Sequence, residues 1–435
     1  MNNELNNKIF NLVPLVTKKL EPKKLKEDPN VDLVGIPFLF NLGKVENIKR
    51  SRSDGYGNII EAYKNGLGLD IQNYRKLSDI ANQIIEFEPY ASFATVNFIE
   101  EHLFEWIIET YKNNKAKNEP LNYLQDTFEN DLKEYHFYFR VHALGINSKF
   151  KIGKVDFTFF SDDLLLDYSK KFKEQFPEKP EKEFELIFKD YISKPIAKVS
   201  SKGIQDKAKR NAQRQVNVAI DSLKCFLIKE SINSSSKIMD AEYRFTDKFP
   251  NSFIYDTSSE KFDFNLQFER TDGIKPISLN KEKIEELFKS GLGEVSDFIS
   301  NSPTNELSRL ILNTISSIGT YSSTRNLHER VVKIISAYEI LFIPLKKGKG
   351  RGLTIIKLNV LPKIIEVNEL QMAIKLFVEF YDIRDKYLHN GLEKHIDIDD
   401  LFKVQKITIF LLQRLIRLNK ELTNSLDLLK YFEIK

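Results

Sequence analysis

The 435-residue sequence holds one cysteine, Cys225, six histidines, three methionines and one tryptophan. A single cysteine excludes an internal disulfide framework and a cysteine-built zinc finger. It fits a reducing compartment, so a cytoplasmic location is expected. No run of about 18 apolar residues occurs, so no spanning helix and no membrane partner are expected. The first residues, MNNELNNKIFNLVPLVTKKL, carry no basic segment ahead of their short apolar stretch, so no signal peptide is expected. Gly55-Tyr-Gly57 and Gly66-Leu-Gly68 do not continue to GxxG after a strand, and GxxxxGK[ST] is absent, which argues against a Rossmann or P-loop nucleotide site. GxSxG and HExxH are missing too. His136 and His142 share one face of a strand pattern and are taken as sheet histidines. Asp162, Asp163 and Asp167 after Ser161 fit a helix start better than a metal site. The run His395-Ile-Asp397-Ile-Asp399-Asp400 likewise fits capping. No metal and no cofactor are expected.

What is present suffices for a large core. Hydrophobic residues make up 41% and charged residues 29%, with 33 phenylalanines, so the chain is not disordered overall. Its length allows roughly two to four domains. The 66 Lys+Arg and 62 Asp+Glu nearly balance, but unevenly. Residues 301–435 hold 21 basic and 15 acidic residues, a net of +6, and the remaining 45 and 47 give 1–300 a net of −2. The positive excess lies in the C-terminal third.

The expected fold class is α+β: a mixed N-terminal region with helices and antiparallel strands, then a C-terminal four-helix bundle. Apolar residues at three and four spacing predict helices over Asp70–Phe87 and Tyr90–Tyr111, and Pro120 suits the first turn of another. Tyr135–Leu144 and Phe150–Phe160 are rich in aromatic and β-branched residues and read as a hairpin or two sheet strands. Glu174–Lys182 reads as a loop and Ile196–Ser200 as a short strand. Gly203–Glu230 reads as a long helix with Ala208, Ala212, Val216, Ala219, Leu223 and Phe226 on one side, and Asn233–Ser236 as a break. Lys237–Thr246 and Lys261–Glu269 return to strand patterns, and a helix opens near Asn280 and runs to Ser290. From Ser302 the pattern is helical: Thr304–Thr320, Thr324–Phe342, Lys363–Leu388, and Asp399–Leu429 with Asp399 or Asp400 as N-cap. Pro344–Pro362 intervenes and carries the basic run KKGKGRG.

The third bundle helix carries the chemistry. With Leu370 at 0° and about 100° per residue, Ile374, Phe377, Tyr381 and Leu388 fall within about 40° of it. Ala373, Leu376, Phe380, Ile383 and Tyr387 extend the apolar arc to about 220°, and Arg384 falls inside it, near 320°. A charge there must be paired or must face an interface or cleft. Glu339, flanked by Val332, Ile335 and Phe342, is the candidate carboxylate. His389 follows five residues on, just before Asn390-Gly391, a typical helix stop. Arginine and histidine at one helix end, in the basic third of the chain, suit phosphate chemistry.

Arg384-Asp-Lys-Tyr-Leu-His389 matches RX4–6H, and around this motif the sequence resembles the HEPN family, in particular its Apea-like branch. In that branch a helix with a SAYEILF-like segment, here Ser336–Phe342, precedes one ending in a phrase like Tyr381–Gly391. The polar residue usual after the motif arginine is Asp385. Glu379 matches the glutamate of an upstream EX3KR extension, but Ile383 replaces its lysine. The resemblance covers about Pro303–Leu429. A weaker one covers Tyr135–Asn301, the kind of mixed region that precedes Apea-like HEPN domains, and residues 1–134 match nothing. The implied division is 1–134, mainly helical; 135–301, sensing or regulatory; and 302–435, the HEPN domain.

The resemblance implies a metal-independent endoribonuclease in anti-phage defence or abortive infection. The RNA 2′-OH would attack the adjacent phosphate, leaving 2′,3′-cyclic phosphate and 5′-OH ends. Arg384 would bind phosphate and stabilise the transition state, and His389 would do acid–base work. Asp385 would orient Arg384 or the 2′-OH, with Glu379 and Glu339 in support. Lys346, Lys347, Lys349 and Arg351 would hold the RNA backbone. The implied partners are RNA, a second copy that brings two motifs into one cleft, and a phage-derived trigger or an antitoxin. The alternatives are an inactive HEPN module that binds RNA or acts as a scaffold or regulator, and an unrelated helical interaction protein.

Overall fold

The computed structural model describes residues 2–18, 62–64, 67–177, 194–227, 239–241, 252–258, 261–265, 277–301, 305–321, 326–342 and 352–434. Gly55-Tyr-Gly57, Asn233–Ser236, most of Lys237–Thr246 and Lys346, Lys347, Lys349 and Arg351 lie outside them. The chain divides into two compact units, residues 1–134 with 202–209, and residues 135–201 with 210–435. The expected regions 135–301 and 302–435 thus fall within one unit. No helix among the described residues is long and apolar enough to cross a membrane.

The first unit is mainly helical. It holds α1 (Asn2–Phe10), α2 (Ile71–Ile84), α3 (Tyr90–Phe93), α4 (Val96–Asn113) and α5 (Pro120–Asp131). Asp70 caps α2 by accepting from the Asn73 amide, and Thr95 caps α4. The predicted helix over 90–111 is therefore interrupted before Thr95. Pro120 opens α5 as its spacing predicts. Strands β1 (Thr17–Lys18), β2 (Ala62–Lys64) and β3 (Leu67–Leu69) form a small antiparallel sheet in the order β1-β3-β2. The core gathers Ile9, Leu77, Ile99, Leu103, Trp106, Ile107 and Phe128.

The second unit begins on a sheet. Its strands are β4 (Lys133–His142, starting at the unit boundary), β5 (Leu144–Ile146), β6 (Phe150–Ile152), β7 (Val155–Thr158), β8 (Ile196–Gly203), β9 (Asp240–Ala241), β10 (Ser252–Asp256), β11 (Lys261–Asn265) and β12 (Ile277–Leu279). The main sheet runs β11-β10-β4-β8-β7-β6, with β9 on β4, and β12 pairs with β5 in parallel. Phe150–Phe160 is thus a hairpin of its own and not one strand: Gly153 takes φ +61°, which reverses the chain between β6 and β7. This hairpin does not pair with β4; β8 lies between them. Helix α6 (Asp162–Gln175), capped by Ser161, lays Tyr168 and Phe172 against Tyr138, Phe160 and Ile196.

Helix α7 (Gln205–Phe226) buries the predicted alanine-bearing side. Asn280 caps α8 (Lys281–Leu287), and a π-helical turn with Gly291 at φ +125° leads into α9 (Gly293–Ser300). The bundle then consists of α10 (Glu306–Tyr321), α11 (Leu327–Phe342), α12 (Gly352–Ile355), α13 (Leu361–Ile364), α14 (Val367–Asn390), α15 (Ile398–Leu418) and α16 (Ser425–Tyr431). Four expectations change here, the first being that the predicted helix Lys363–Leu388 breaks after Ile364 and α14 starts anew at Val367. The segment before Pro362 is helical from Gly352, with a π-helical turn at Ile356–Val360. The last helix breaks after Leu418, and Asn424 caps a new one. The cap of α15 is Asp397, whose carboxylate accepts from the Asp399 amide at 2.8 Å and the Asp400 amide at 3.2 Å. The two later aspartates stand in the first turn, where the helix dipole favours them.

Candidate functional site

Two bundle helices build the site. Asn326 starts α11 by accepting from the amides of His328 and Glu329. The helix buries Val331, Ile334, Ile335, Tyr338, Leu341 and Phe342 along one stripe. Helix α14 answers with Ala373, Leu376, Phe377, Phe380, Tyr381 and Ile383. The Tyr338 ring meets Phe377 edge-on at 4.9 Å, which fixes the approach of α11 to α14. Gly391, at φ +63°, ends α14; its amide donates to the Tyr387 carbonyl, and the Leu392 amide returns to Lys386. The predicted helix stop is thus formed by a left-handed glycine.

Arg384 stands at the edge of the buried face, its side chain 21% exposed. One terminal guanidinium nitrogen, Nη2, donates to Glu339 Oε2 at 2.8 Å, and the other, Nη1, to Asp385 Oδ1 at 2.8 Å. The carboxylate expected from the spacing of α11 is therefore the one found. Arg384 Nε and the Tyr381 hydroxyl are buried and have no hydrogen-bond partner. The electrostatics follow from these contacts. Burial pushes the Glu339 carboxyl above its ordinary range, against the pull of Arg384 and with the help of Asp385. Burial works against the Arg384 cation, but the Asp385 hydrogen bond and the Glu339 charge more than offset it and raise its pKa. Burial and the Glu339 charge push the Tyr381 hydroxyl up, so it stays a donor.

His389 lies in the last turn of α14 and is exposed. Because the helix continues through Asn390, His389 sits about 140° around and about 7.5 Å along the axis from Arg384. The two share one helix but not one face. Around this end stands a polar group that the sequence did not reveal. His328 of α11 stacks on Tyr387 with centroids 5.1 Å apart, and its Nε2 lies 2.8 Å from the Lys394 carbonyl oxygen. Asp382 pairs with Lys386 at 2.9 Å and with Lys394. Those two lysines hold the Asp382 carboxyl below its usual range. Glu379 is exposed and its charge acts on Lys394; no contact joins it to Arg384 among the described residues. The signal for His328 was its position two residues after a capping Asn326, at the end of α11 that an antiparallel α14 brings beside its own C-terminus.

No cluster of three or more metal-ligating side chains occurs among the described residues. Chemically, the group offers a guanidinium, two unused buried donors and an exposed imidazole, with two carboxylates against the guanidinium. An apolar stripe of α14, about 80° wide, holds Val367, Leu370, Ile374, Val378 and Leu388 beside Arg384. Val367, Val378 and Leu388 are exposed. No family model, no curated protein and no solved structure matches this chain.

Proposed function

We propose that this chain is an HEPN-type, metal-independent endoribonuclease that acts in the cytoplasm in anti-phage defence or abortive infection. Attack by the RNA 2′-OH on the adjacent phosphate leaves 2′,3′-cyclic phosphate and 5′-OH ends. Arg384 neutralises the phosphate and the charge that builds on it. His389 moves the proton, and exposure leaves its ring open to substrate. The observation that carries this reading is the RX4H spacing on the end of α14, with Arg384 Nε buried and without a partner. Two motifs are brought into one cleft when a second copy covers the apolar stripe of α14, and residues 1–300 sense a trigger or an antitoxin.

A second reading has its own observation. Arg384 is already paired with Glu339 inside one chain, and His389 lies on another face. This is the arrangement expected of an unrelated helical interaction protein whose RX4H spacing is coincidental. The deciding experiment is cleavage of total RNA in EDTA by the wild type, Arg384→Ala and His389→Ala. Cyclic-phosphate ends from the wild type alone support the ribonuclease. Equal cleavage by all three refutes the assignment of both residues.

A further inference from the structure

We propose that Glu339 occupies the phosphate position on Arg384 and that its displacement is what admits an RNA phosphate to the site. The inference rests on the RNA-directed reading above and names how that site is held closed.

The charge count comes first. Around one guanidinium stand two carboxylates, Glu339 and Asp385, each with an oxygen 2.8 Å from a terminal nitrogen. One positive and two negative charges give a net of −1, so an approaching phosphodiester meets repulsion where it needs attraction. The two carboxylates are not equivalent. The Asp385 side chain is 55% exposed and adjoins Arg384 on the same helix, so it swings to water at little cost. The Glu339 side chain is 23% exposed and comes from α11, where the preceding residue, Tyr338, is locked against Phe377. Glu339 is thus the fixed counter-ion, and its oxygen satisfies a guanidinium N–H as a phosphate oxygen would.

The unused donors complete the argument. Arg384 Nε and the Tyr381 hydroxyl are both buried and both lack an acceptor. Tyr381 lies three residues before Arg384, one helical turn away, so the two groups are neighbours. A buried donor left unpaired is costly, and native sites retain such groups where a ligand supplies the acceptor. The acceptor that fits a guanidinium edge and a neighbouring phenol is an oxyanion with several oxygens. Both atoms are buried with Glu339 on the adjoining Nη2, and in the open state proposed here Glu339 leaves and the oxyanion takes them. The ligand class is the RNA phosphodiester. Glu339 is a gating residue and takes no part in the chemistry.

The test is binding of a single-stranded 2′-O-methyl RNA oligonucleotide, which lacks the attacking hydroxyl, followed by fluorescence anisotropy. Glu339→Gln keeps the shape and the acceptor but removes the charge, and is expected to tighten binding about tenfold. The gain should vanish in Glu339→Gln/Arg384→Gln. Tyr381→Phe removes one orphan donor without opening a cavity, so it should fold as well as the wild type and weaken binding about threefold. Unchanged or weaker binding by Glu339→Gln overturns the gate, as does a gain that survives loss of Arg384. Unchanged binding by Tyr381→Phe overturns the oxyanion position. Cleavage that needs Arg384 and His389 while Glu339→Gln alters neither affinity nor rate keeps the ribonuclease and refutes the gate. An Arg384-dependent gain in binding, with no cyclic-phosphate product from any variant, keeps the gate and refutes catalysis.

Discussion

Gly319→Ala tests how α10 is joined to α7. A Cβ at Gly319 would lie 2.2 Å from Asp221 Cβ, 2.3 Å from its Cγ and 2.4 Å from its Oδ1. Carbon atoms need about 3.5 Å, so the helices must part locally by more than an ångström. The crossing has no slack. Lys224 Nζ donates to the Gly319 carbonyl at 3.2 Å and to Asp240 Oδ2 at 2.6 Å, and Asp221 lies 3.6 Å away. All three charged side chains are almost fully buried. Alanine in a helix interior is favoured over glycine by about 1 kcal/mol. Overpacking costs about 1–3 kcal/mol, and weakening a buried ion pair costs up to about 3–5 kcal/mol. The net expectation is a loss of about 2–4 kcal/mol. Urea unfolding followed by far-ultraviolet circular dichroism measures it. Asp221→Gly removes the nearest clashing atoms, so the Gly319→Ala penalty should shrink in that background. A Gly319→Ala protein as stable as the wild type, or more stable, refutes the close crossing, because helix propensity alone would then decide the outcome.

Three further outcomes follow from the same structure. Asp397→Ala removes the cap of α15 and should cost about 1 kcal/mol, while Asp399→Ala should cost less; thermal unfolding of both variants ranks them. Gly391→Ala meets no atom within 4 Å but keeps φ +63°, so it should cost about 1 kcal/mol from backbone strain alone, and equal stability would mean that the left-handed stop is absent. Glu339, with its pKa raised chiefly by burial, takes up a proton more readily in the fold than in the unfolded chain. Its stabilising contribution is therefore full below the unfolded carboxyl range and is lost as pH rises through the raised value. The stability of Glu339→Gln relative to the wild type should increase as pH rises from the ordinary carboxyl range through the raised value, and a decrease would refute the assignment.

The sequence determined most of what is local. Helix periodicity, Pro120 at a first turn, helix starts after Ser161 and near Asn280, and Asn390-Gly391 as a stop depend on residues within a turn or two of one another. The same holds for the RX4H spacing and for placing Arg384 in an apolar arc, which made an internal carboxylate such as Glu339 a candidate. Misplaced boundaries came from competing local signals: three aspartates near one helix start, of which only Asp397 reaches the free amides, and a glycine that turned Phe150–Phe160 into a hairpin. Tertiary structure decided what depends on the approach of distant segments. It put β8 between β4 and the β6–β7 hairpin, His328 on Tyr387, and Glu379 where its charge acts on Lys394. It left Arg384 Nε and the Tyr381 hydroxyl buried without acceptors, and it closed Gly319 onto Asp221. A sequence fixes which residues share a face; burial and pairing depend on the neighbour that covers that face, and here those neighbours come from segments tens of residues away.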